Sequence, residues 1–238
     1  MGVSAPRHPR SSDEELLEAE TSAILAELTD AQRLLRIQDE LRNGFQALGQ
    51  IGKAVSIFGS ARTGRDDPRY ERARQLARRL GEEGFAVITG GGPGIMEAAN
   101  KGAREAGVPS VGLGIELPHE QGMNEYVDLA LNFHYFFTRK VMFVRYASGF
   151  VVFPGGFGTM DELFEAATLR QTEKIRYFPI VLVDSDYWGG LVTWLRDSML
   201  GDRYVSPDDL DAIAVCDDLD RVIEIVEDVE HRRPRRAA

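Results

Sequence analysis

Residues 149–172 read GFVVFPGGFGTMDELFEAATLRQT, and residues 85–102 read FAVITGGGPGIMEAANKG. Each stretch holds a short apolar run, then a glycine-rich turn, then a run with helical periodicity. The first predicts a strand over Gly149–Phe153 and a helix over Met160–Thr172, and the second predicts a strand over Phe85–Thr89. A buried strand that a short glycine turn joins to a helix is the repeating unit of a parallel sheet.

Similar apolar runs lie on both sides of these stretches. They predict strands at Ala54–Phe58, Val108–Ile115, Val127–Phe133 and Pro179–Val183, with a short apolar run at Ile213–Cys216. The segments between them predict helices at Pro68–Glu83, from Ile95 past Ala99, through Arg139 to Tyr146, at Trp188–Leu200 and at Leu219–Val229. We therefore expect an α/β fold, a Rossmann-like doubly wound parallel sheet. Ligands of such folds bind at the carboxyl ends of the strands, where the glycine turns lie.

The chain is expected to divide into four segments. These are a flexible tail (1–11), an N-terminal helical extension (12–50), the Rossmann-like domain (51–230) and a basic flexible tail (231–238). The pattern Ser12-x-x-Glu15 predicts a first helix that runs toward Leu28, and a second helix begins near Asp30. This second helix carries an apolar stripe at helical spacing, formed by Leu34, Ile37, Leu41, Phe45 and Leu48. We expect the stripe to pack on the domain or on a second subunit.

Composition excludes several classes of protein. The 238 residues carry a net charge of −10, which disfavours a nucleic-acid surface. No segment reaches the ~18 apolar residues of a membrane helix, and the first residues do not resemble a signal peptide. The single cysteine, Cys216, excludes a disulfide framework, and the histidines show no metal-ligand spacing. We expect a cytoplasmic protein without membrane or nucleic-acid partners.

The turns Gly90–Gly94 and Pro154–Thr159 both open helices. Glycine permits close backbone approach, and a helix N-terminus offers free N–H groups to an anion. Tight turns without a ligand are the alternative, but two such turns in one sheet favour phosphate binding. Glu97 and Asp161 stand where a dinucleotide fingerprint needs its third small residue, and the P-loop motif is missing. The pattern therefore points to a single phosphate.

Two charged elements lie near the second turn. Glu162 follows Thr159 by three residues, which is the spacing of a helix capping box. Taken alone, Glu162 is better interpreted as a cap than as a functional carboxylate, although the helix dipole favours its ionised form. Arg139 and Lys140 precede the strand at Gly149–Phe153 and are expected to place a cation at the same sheet edge or on a solvated face.

The segment Pro154–Glu162, PGGFGTMDE, resembles the PGGxGTxxE signature of the LONELY GUY (LOG) family, the cytokinin riboside 5′-monophosphate phosphoribohydrolases. Weaker matches support the resemblance over about Lys53–Val226; they are Gly59–Ser60 with Tyr70, Gly90–Met96, Arg139-Lys140-x-Met142 and Tyr204–Pro207. The resemblance implies hydrolysis of the N-glycosidic bond of an N6-modified AMP to the free base and ribose 5-phosphate. It implies no metal or organic cofactor, and a nucleoside monophosphate as the small-molecule partner.

Carried over residue by residue, the family's catalytic pair corresponds to Arg139 and Glu162. A carboxylate near C1′ would stabilise the oxocarbenium-like transition state. The implied substrate-binding residues are Ser60, Gly91, Gly92, Glu120, Arg139, Lys140, Met142, Gly155, Gly156, Phe157, Gly158, Thr159, Met160, Asp161 and Thr168, with Glu120 and Thr168 matched more loosely than the others. Because family members pair their subunits, we also expect a homo-oligomer, a dimer or a hexamer, with residues 12–50 adding to an interface.

Three other functions remain open at this point. The first is a nucleosidase for AMP or other nucleoside monophosphates, because the motifs do not order the walls around the base. The second is a non-catalytic protein of the same superfamily that binds a nucleotide or a molybdenum cofactor. The third, lysine decarboxylation, is disfavoured because Lys140 is the only lysine near the glycine loops and no partner for a cofactor ring is evident.

Overall fold

A computed structural model describes residues 12–17, 28–116 and 122–232. Within these residues the chain forms seven parallel strands, β1 Ala54–Phe58, β2 Ala86–Thr89, β3 Ser110–Ile115, β4 Leu129–Phe133, β5 Phe150–Val152, β6 Ile180–Leu182 and β7 Ile213–Val215. Their order across the sheet is β4-β3-β2-β1-β5-β6-β7. The expected doubly wound parallel sheet is therefore confirmed.

Helices connect and cover the strands. They are α1 Ser12–Leu17, α2 Asp30–Leu48, α3 Pro68–Glu82, α4 Ile95–Glu105, α5 Phe136–Tyr146, α6 Phe157–Gln171, α7 Ser185–Trp194, α8 Pro207–Asp211 and α9 Leu219–Arg232, and a π-helical stretch, Leu195–Leu200, continues α7. Helix α6 begins three residues before its predicted start, because Gly156 in extended backbone serves as its N-cap. The predicted continuation of the first helix toward Leu28, the predicted tail at 1–11 and residues 233–238 of the tail predicted at 231–238 lie outside the described residues. The first two residues of that second tail, His231 and Arg232, belong to α9, so the tail was predicted to begin too early.

The strand order creates one switch point. The chain adds β2, β3 and β4 on one side of β1, then returns to add β5 on the other side. Parallel sheets of this kind bind ligands where the order reverses, outside the carboxyl ends of the strands. That point lies between the turn after β1 and the turn after β5, and the amide of Ser60 in the first turn donates to the carbonyl of Pro154 in the second (2.9 Å).

Side chains alternate along the central strands, so the sheet has a core on each face. On one face Phe58 and Phe150 pack edge to face with their ring centroids 4.7 Å apart, under α5 and α6. On the other face Val55 and Ile57 pack under α3, α4 and α9. Strands buried on both faces explain why the sequence shows continuous apolar runs instead of alternation.

Helix α2 packs on α5 and presents two different faces. Thr29 caps it through a capping box with Gln32, and its buried residues are Arg33, Glu40, Gly44 and Leu48. The predicted apolar stripe is therefore only partly covered by its own domain, because Leu34 is 66% exposed and Phe45 is 39% exposed while Leu48 is buried. Among the described helices, none is long and apolar enough to cross a membrane.

Candidate active site

The turn after β5 forms an open helix N-terminus at the switch point. Gly156 caps α6 without a side-chain hydrogen bond, and Gly156, Phe157 and Gly158 are exposed. The first amides of a helix have no partner within it, so those of Phe157 and Gly158 are not used by α6 itself. Gly155 is held from outside the turn, because the hydroxyl of Tyr187 donates to its carbonyl (2.7 Å). No sequence pattern pointed to Tyr187.

Glu162 lies one turn further along α6 and is 2% exposed. It is the sixth residue of the helix, and Thr159 already lies inside the first turn with its amide bonded to the carbonyl of Gly156. The interpretation of Thr159 and Glu162 as a capping box is therefore wrong, because the helix starts three residues earlier than predicted. One carboxylate oxygen, Oε2, is buried without a hydrogen-bond partner among the described residues. Such an atom is costly to bury, so it points to a ligand or to strain.

Lys140 reaches the same place from α5. Its Nζ lies 2.7 Å from Glu165, 2.9 Å from Asp161 and 3.6 Å from Glu162. Burial lowers the pKa of Lys140, but the hydrogen bonds with Glu165 and Asp161 outweigh burial, so the pKa lies above its ordinary value. The lysine is therefore a fixed cation among three carboxylates, and its amine is not free to form a Schiff base.

Arg139 stands beside this cluster. Its guanidinium carbon lies 5.4 Å from the ring centroid of Phe136 and 5.3 Å from that of Phe143. Burial lowers the pKa of Arg139, while the negative charges of Glu162 and Asp161 oppose that shift. Arginine nevertheless stays protonated near neutral pH. Its buried Nε has no hydrogen-bond partner among the described residues, so Arg139 and Glu162 each keep one unused polar atom.

The electrostatics of Glu162 follow from these neighbours. Burial raises its pKa from 4.5 to about 7, against the opposing effect of Lys140 and Arg139. A carboxyl group with a pKa near neutral exists in both protonation states under physiological conditions. That property suits a group that gives or takes a proton during a reaction.

The turn after β2 is built differently. The amide of Gly91 donates to the hydroxyl of Thr89 (2.9 Å), and the side-chain amide of Asn124 donates to the carbonyls of Gly91 and Gly92 (3.0 Å each). Gly94 has a φ of 67°, and a Cβ there would collide with the carbonyl of Ser60. Hydrogen bonds within the protein therefore use the amide of Gly91 and the carbonyls of Gly91 and Gly92. Sequence reasoning missed Asn124, for which a single sequence carries no signal.

The acid in the first turn of α4 also has a structural partner. Glu97 is buried and accepts hydrogen bonds from Arg65 (2.7 Å) and from the hydroxyl of Tyr70 (2.8 Å). It occupies the place where a dinucleotide fingerprint requires a small residue. The described residues hold no group of three or more histidine, cysteine or carboxylate side chains arranged to bind a metal.

Some of the remaining predicted residues lie at the site, and others do not. Ser60 lies at the end of β1 beside the Pro154 turn, and Asp161 is exposed at the site. Met142 is fully buried against Gly44, so its assignment to substrate binding is corrected to a packing role. Thr168 lies roughly 13 Å beyond Thr159 along the helix axis, so this chain does not bring it to the turn. Two further residues are Met160, which packs against the core, and Glu120, which is outside the described residues.

The fold and the site define a doubly wound α/β protein with an open helix N-terminus and a buried carboxylate at its switch point. The chain belongs to the LOG family, whose family model, described as "Possible lysine decarboxylase", matches residues 96–226. A cytokinin riboside 5′-monophosphate phosphoribohydrolase from Mycobacterium tuberculosis is 32% identical over 157 residues, 63% of this chain and 80% of that protein. One from Arabidopsis thaliana is 28% identical over 163 residues, 65% of this chain and 72% of that protein.

Solved structures share the fold. The molybdenum cofactor carrier protein of Chlamydomonas reinhardtii has a TM-score of 0.56 at 20% identity, covering 75% of this chain and 99% of that one. The molybdenum cofactor binding protein of Rippkaea orientalis has a TM-score of 0.54 at 19% identity, covering 75% of this chain and 96% of that one. At this identity the likeness shows the architecture alone.

Proposed function

We propose that this chain hydrolyses the N-glycosidic bond of a nucleoside 5′-monophosphate with an N6-modified adenine, releasing the base and ribose 5-phosphate. The observation that carries the proposal is the buried Glu162, whose free Oε2 and near-neutral pKa stand one turn from an open helix N-terminus. The rise from Phe157 to Glu162 is roughly 8 Å along the axis, on the scale of a ribose 5-phosphate. The names of the curated relatives supply the substrate class.

Two parts of α6 have different roles in this proposal: its N-terminus binds the phosphate, and Glu162 acts on the ribose. The amides of Phe157 and Gly158 bind the 5′-phosphate, where the helix dipole favours an anion. This anchoring is remote from the reacting bond and holds the ribose in place. Glu162 then faces C1′ as the bond to the base lengthens and positive charge develops on the ribose.

The step itself needs only water as co-reactant. The electron pair of the C1′–N9 bond leaves with the base, and a water oxygen forms the new bond to C1′. Glu162 stabilises the cationic ribose and takes a proton from that water. The departing base takes up one proton from solvent and Glu162 returns one to solvent, so the net proton on the base is the one that the water lost. The products are the free base and ribose 5-phosphate, so atoms and charge balance without a metal or an organic cofactor.

The two cations on α5 have different tasks. Lys140 lies between three carboxylates and keeps Glu162 oriented and partly ionised. Arg139 holds the substrate and stabilises the charge that develops on the departing base. Arg139 does not donate a proton to the departing base, because its guanidinium does not give up a proton near neutral pH. The exposed ring of Phe136, which lies against the Arg139 guanidinium, suits an apolar N6 substituent.

The direct test is to incubate the purified protein with AMP and with N6-isopentenyl-AMP and to measure free base and ribose 5-phosphate by chromatography. We expect release of both products, faster from the N6-modified nucleotide. Equal rates would support the plain nucleosidase instead. Tight nucleotide binding without any release of base would contradict an enzyme and favour a carrier.

The assembly is part of the same proposal. The stripe residues Leu34 and Phe45 leave an apolar face of α2 exposed in the single chain, and a second copy of this chain would cover such a face. Light scattering of the full-length protein should therefore give a dimer or a hexamer. The double variant Leu34→Asp, Phe45→Asp should shrink the assembly and leave the circular dichroism spectrum unchanged, whereas a monomeric wild type would refute the proposal.

A further inference from the structure

A buried carboxylate of the N-terminal extension binds the start of the helix that carries Arg139. Glu40 on α2 is 7% exposed, and its Oε2 lies 2.5 Å from the hydroxyl of Thr138. Its Oε1 accepts from the amide of His134 (2.9 Å) and lies 2.7 Å from Nδ1 of the same residue. One side chain of α2 thus contacts both the segment that enters α5 and the first turn of α5.

Two further contacts join the extension to α5. The carboxylate of Asp13 accepts a hydrogen bond from the amide of Phe136, the first residue of α5 (3.2 Å). Tyr135, the N-cap of α5, provides no side-chain cap, so Asp13 takes that role from another helix. Gly44 packs so closely on Met142 that a Cβ there would contact the thioether.

These contacts fix one face of α5, and Arg139 projects from the next. Thr138 and Met142, four residues apart, face α2. Arg139 lies on the neighbouring face, close to the charges of Glu162 and Asp161, and its guanidinium carbon lies 5.3 Å from the ring of the core residue Phe143. A shift of the first turn of α5 would therefore move Arg139 relative to Glu162.

Packing two helices through a buried carboxylate is less favourable than packing them through apolar side chains. Burying a carboxylate costs free energy that an apolar residue of similar size would not. Three hydrogen bonds offset this cost only when His134 and Thr138 keep their places. The carboxylate therefore specifies a position for the helix more strictly than apolar contact does.

We propose that Glu40 is a positioning residue for Arg139, acting through Thr138 and His134, so that the N-terminal extension sets the geometry of the active site. The inference that Arg139 acts on substrate rests on the proposed function. The clamp of Glu40 on α5 is a separate part, which can be measured without any substrate.

The test compares Glu40→Ala and the near-isosteric Glu40→Gln with Asp39→Asn. Asp39 lies on the same helix and pairs with Arg42 on the surface, so it is a matched control. Hydrogen–deuterium exchange of peptides covering residues 134–142 should rise at least about fivefold in Glu40→Ala, less in Glu40→Gln, and not at all in Asp39→Asn. Unchanged exchange in both Glu40 variants would overturn the clamp.

Kinetics then separate positioning from general support. Glu40→Ala should lower kcat about tenfold, with the affinity for ribose 5-phosphate, which binds the Pro154–Thr159 turn, changed less than about twofold. In an Arg139→Ala background the same substitution should have no further effect on kcat, because the residue it positions is gone. An equal loss in both backgrounds would overturn positioning. A wild type inactive on every nucleotide, with exchange raised as expected, would refute the proposed function and keep the clamp.

Discussion

The turns Gly90–Gly94 and Pro154–Thr159 look alike in sequence and differ in the folded chain. Both follow a buried parallel strand and open a helix. In the first, Thr89 and Asn124 take up the amide and carbonyl groups of Gly91, and the first amide of α4 donates to Ser60. In the second, the residues at the helix start are exposed and the helix is capped by a bare glycine.

The difference shows what decides whether a glycine turn can bind an anion. Glycine supplies close approach and the helix supplies a dipole, but a phosphate also needs N–H groups that the protein has not already used. In the first turn the amides of Gly91 and Ile95 already donate to Thr89 and Ser60. Asn124, which binds the carbonyls of Gly91 and Gly92, lies more than 30 residues away in the sequence. We therefore propose that the first turn supports the switch point and that the second binds the ligand.

The largest effect is expected at Glu162, one helical turn beyond the Pro154–Thr159 turn. Glu162→Gln should lower kcat by roughly 10²-fold or more with a modest change in KM, because the neutral amide no longer stabilises a cationic ribose. Steady-state kinetics on N6-isopentenyl-AMP measure this. Glu97→Gln, at the corresponding start of α4, is the control and should keep kcat within about threefold. Near-wild-type turnover in folded Glu162→Gln would remove Glu162 from the mechanism.

Glu162 should also make the stability of the protein depend on pH. The folded-state pKa of Glu162, about 7, lies above its unfolded value of 4.5, so the folded state favours the protonated form. The stability this provides is full below pH 4.5 and is lost as the pH rises through 7. By pH 8 the loss approaches about 3 kcal/mol, from roughly 1.4 kcal/mol per pKa unit.

Denaturant unfolding at several pH values checks this expectation. Glu162→Gln should be more stable than the wild type at pH 8 and about equal to it at pH 4. Activity should run in the opposite direction, with kcat/KM rising through about pH 7 as the carboxylate ionises. A stability difference that stays constant from pH 4 to pH 8 would contradict the raised pKa.

Much of this architecture could be predicted from the sequence, because parallel strands buried on both faces leave long apolar runs. The strand Ala54–Phe58 has the bounds that its apolar run predicts. The start of α6 could not be predicted, because Gly156 and Gly158 at its start are typical of a turn. The first residues of a helix also need no hydrogen bonds within it, so no helical pattern marks them. That error of three residues is what made Glu162 resemble a cap.

The candidate site was predicted unevenly for a related reason. Two family motifs, Arg139-Lys140-x-Met142 and the Pro154–Glu162 signature, predicted Arg139, Lys140 and Glu162 on two helices, and the structure brings these residues close together. Met142 belongs to the same motif but turns into the core, because it lies on the face of α5 that packs against Gly44. Side-chain direction on a helix depends on what the helix packs against, and the clamp by Glu40 comes from a segment about 100 residues away.

A substitution that disturbs the turn Gly90–Gly94 should lower the stability of the protein more than its activity. Asn124→Ala removes four hydrogen bonds. Three are donated to the carbonyls of Gly91 and Gly92 and to the side chain of Asn100, and one is accepted from the amide of Tyr126. At about 1 kcal/mol each, less some replacement by water, the free energy of unfolding should fall by about 2 kcal/mol. Thermal and denaturant unfolding measure the loss. The kcat/KM of the folded variant should stay within about threefold of the wild type, and a collapse of substrate affinity instead would mean that this turn also holds the phosphate.

A substitution in the open turn, Pro154–Thr159, should instead lower the affinity for the nucleotide with little change in the stability of the protein. A Cβ at Gly156 meets no atom within 4 Å, and the backbone there is extended, so Gly156→Val fits the fold. The added branch stands over the amides that the phosphate must approach, so KM for the nucleotide should rise about tenfold while the free energy of unfolding changes by less than about 0.5 kcal/mol. Gly190→Val, at an exposed glycine of α7 with equal space, is the matched control and should change neither quantity. An unchanged KM in Gly156→Val would mean that this helix N-terminus, although open, is not where the phosphate binds.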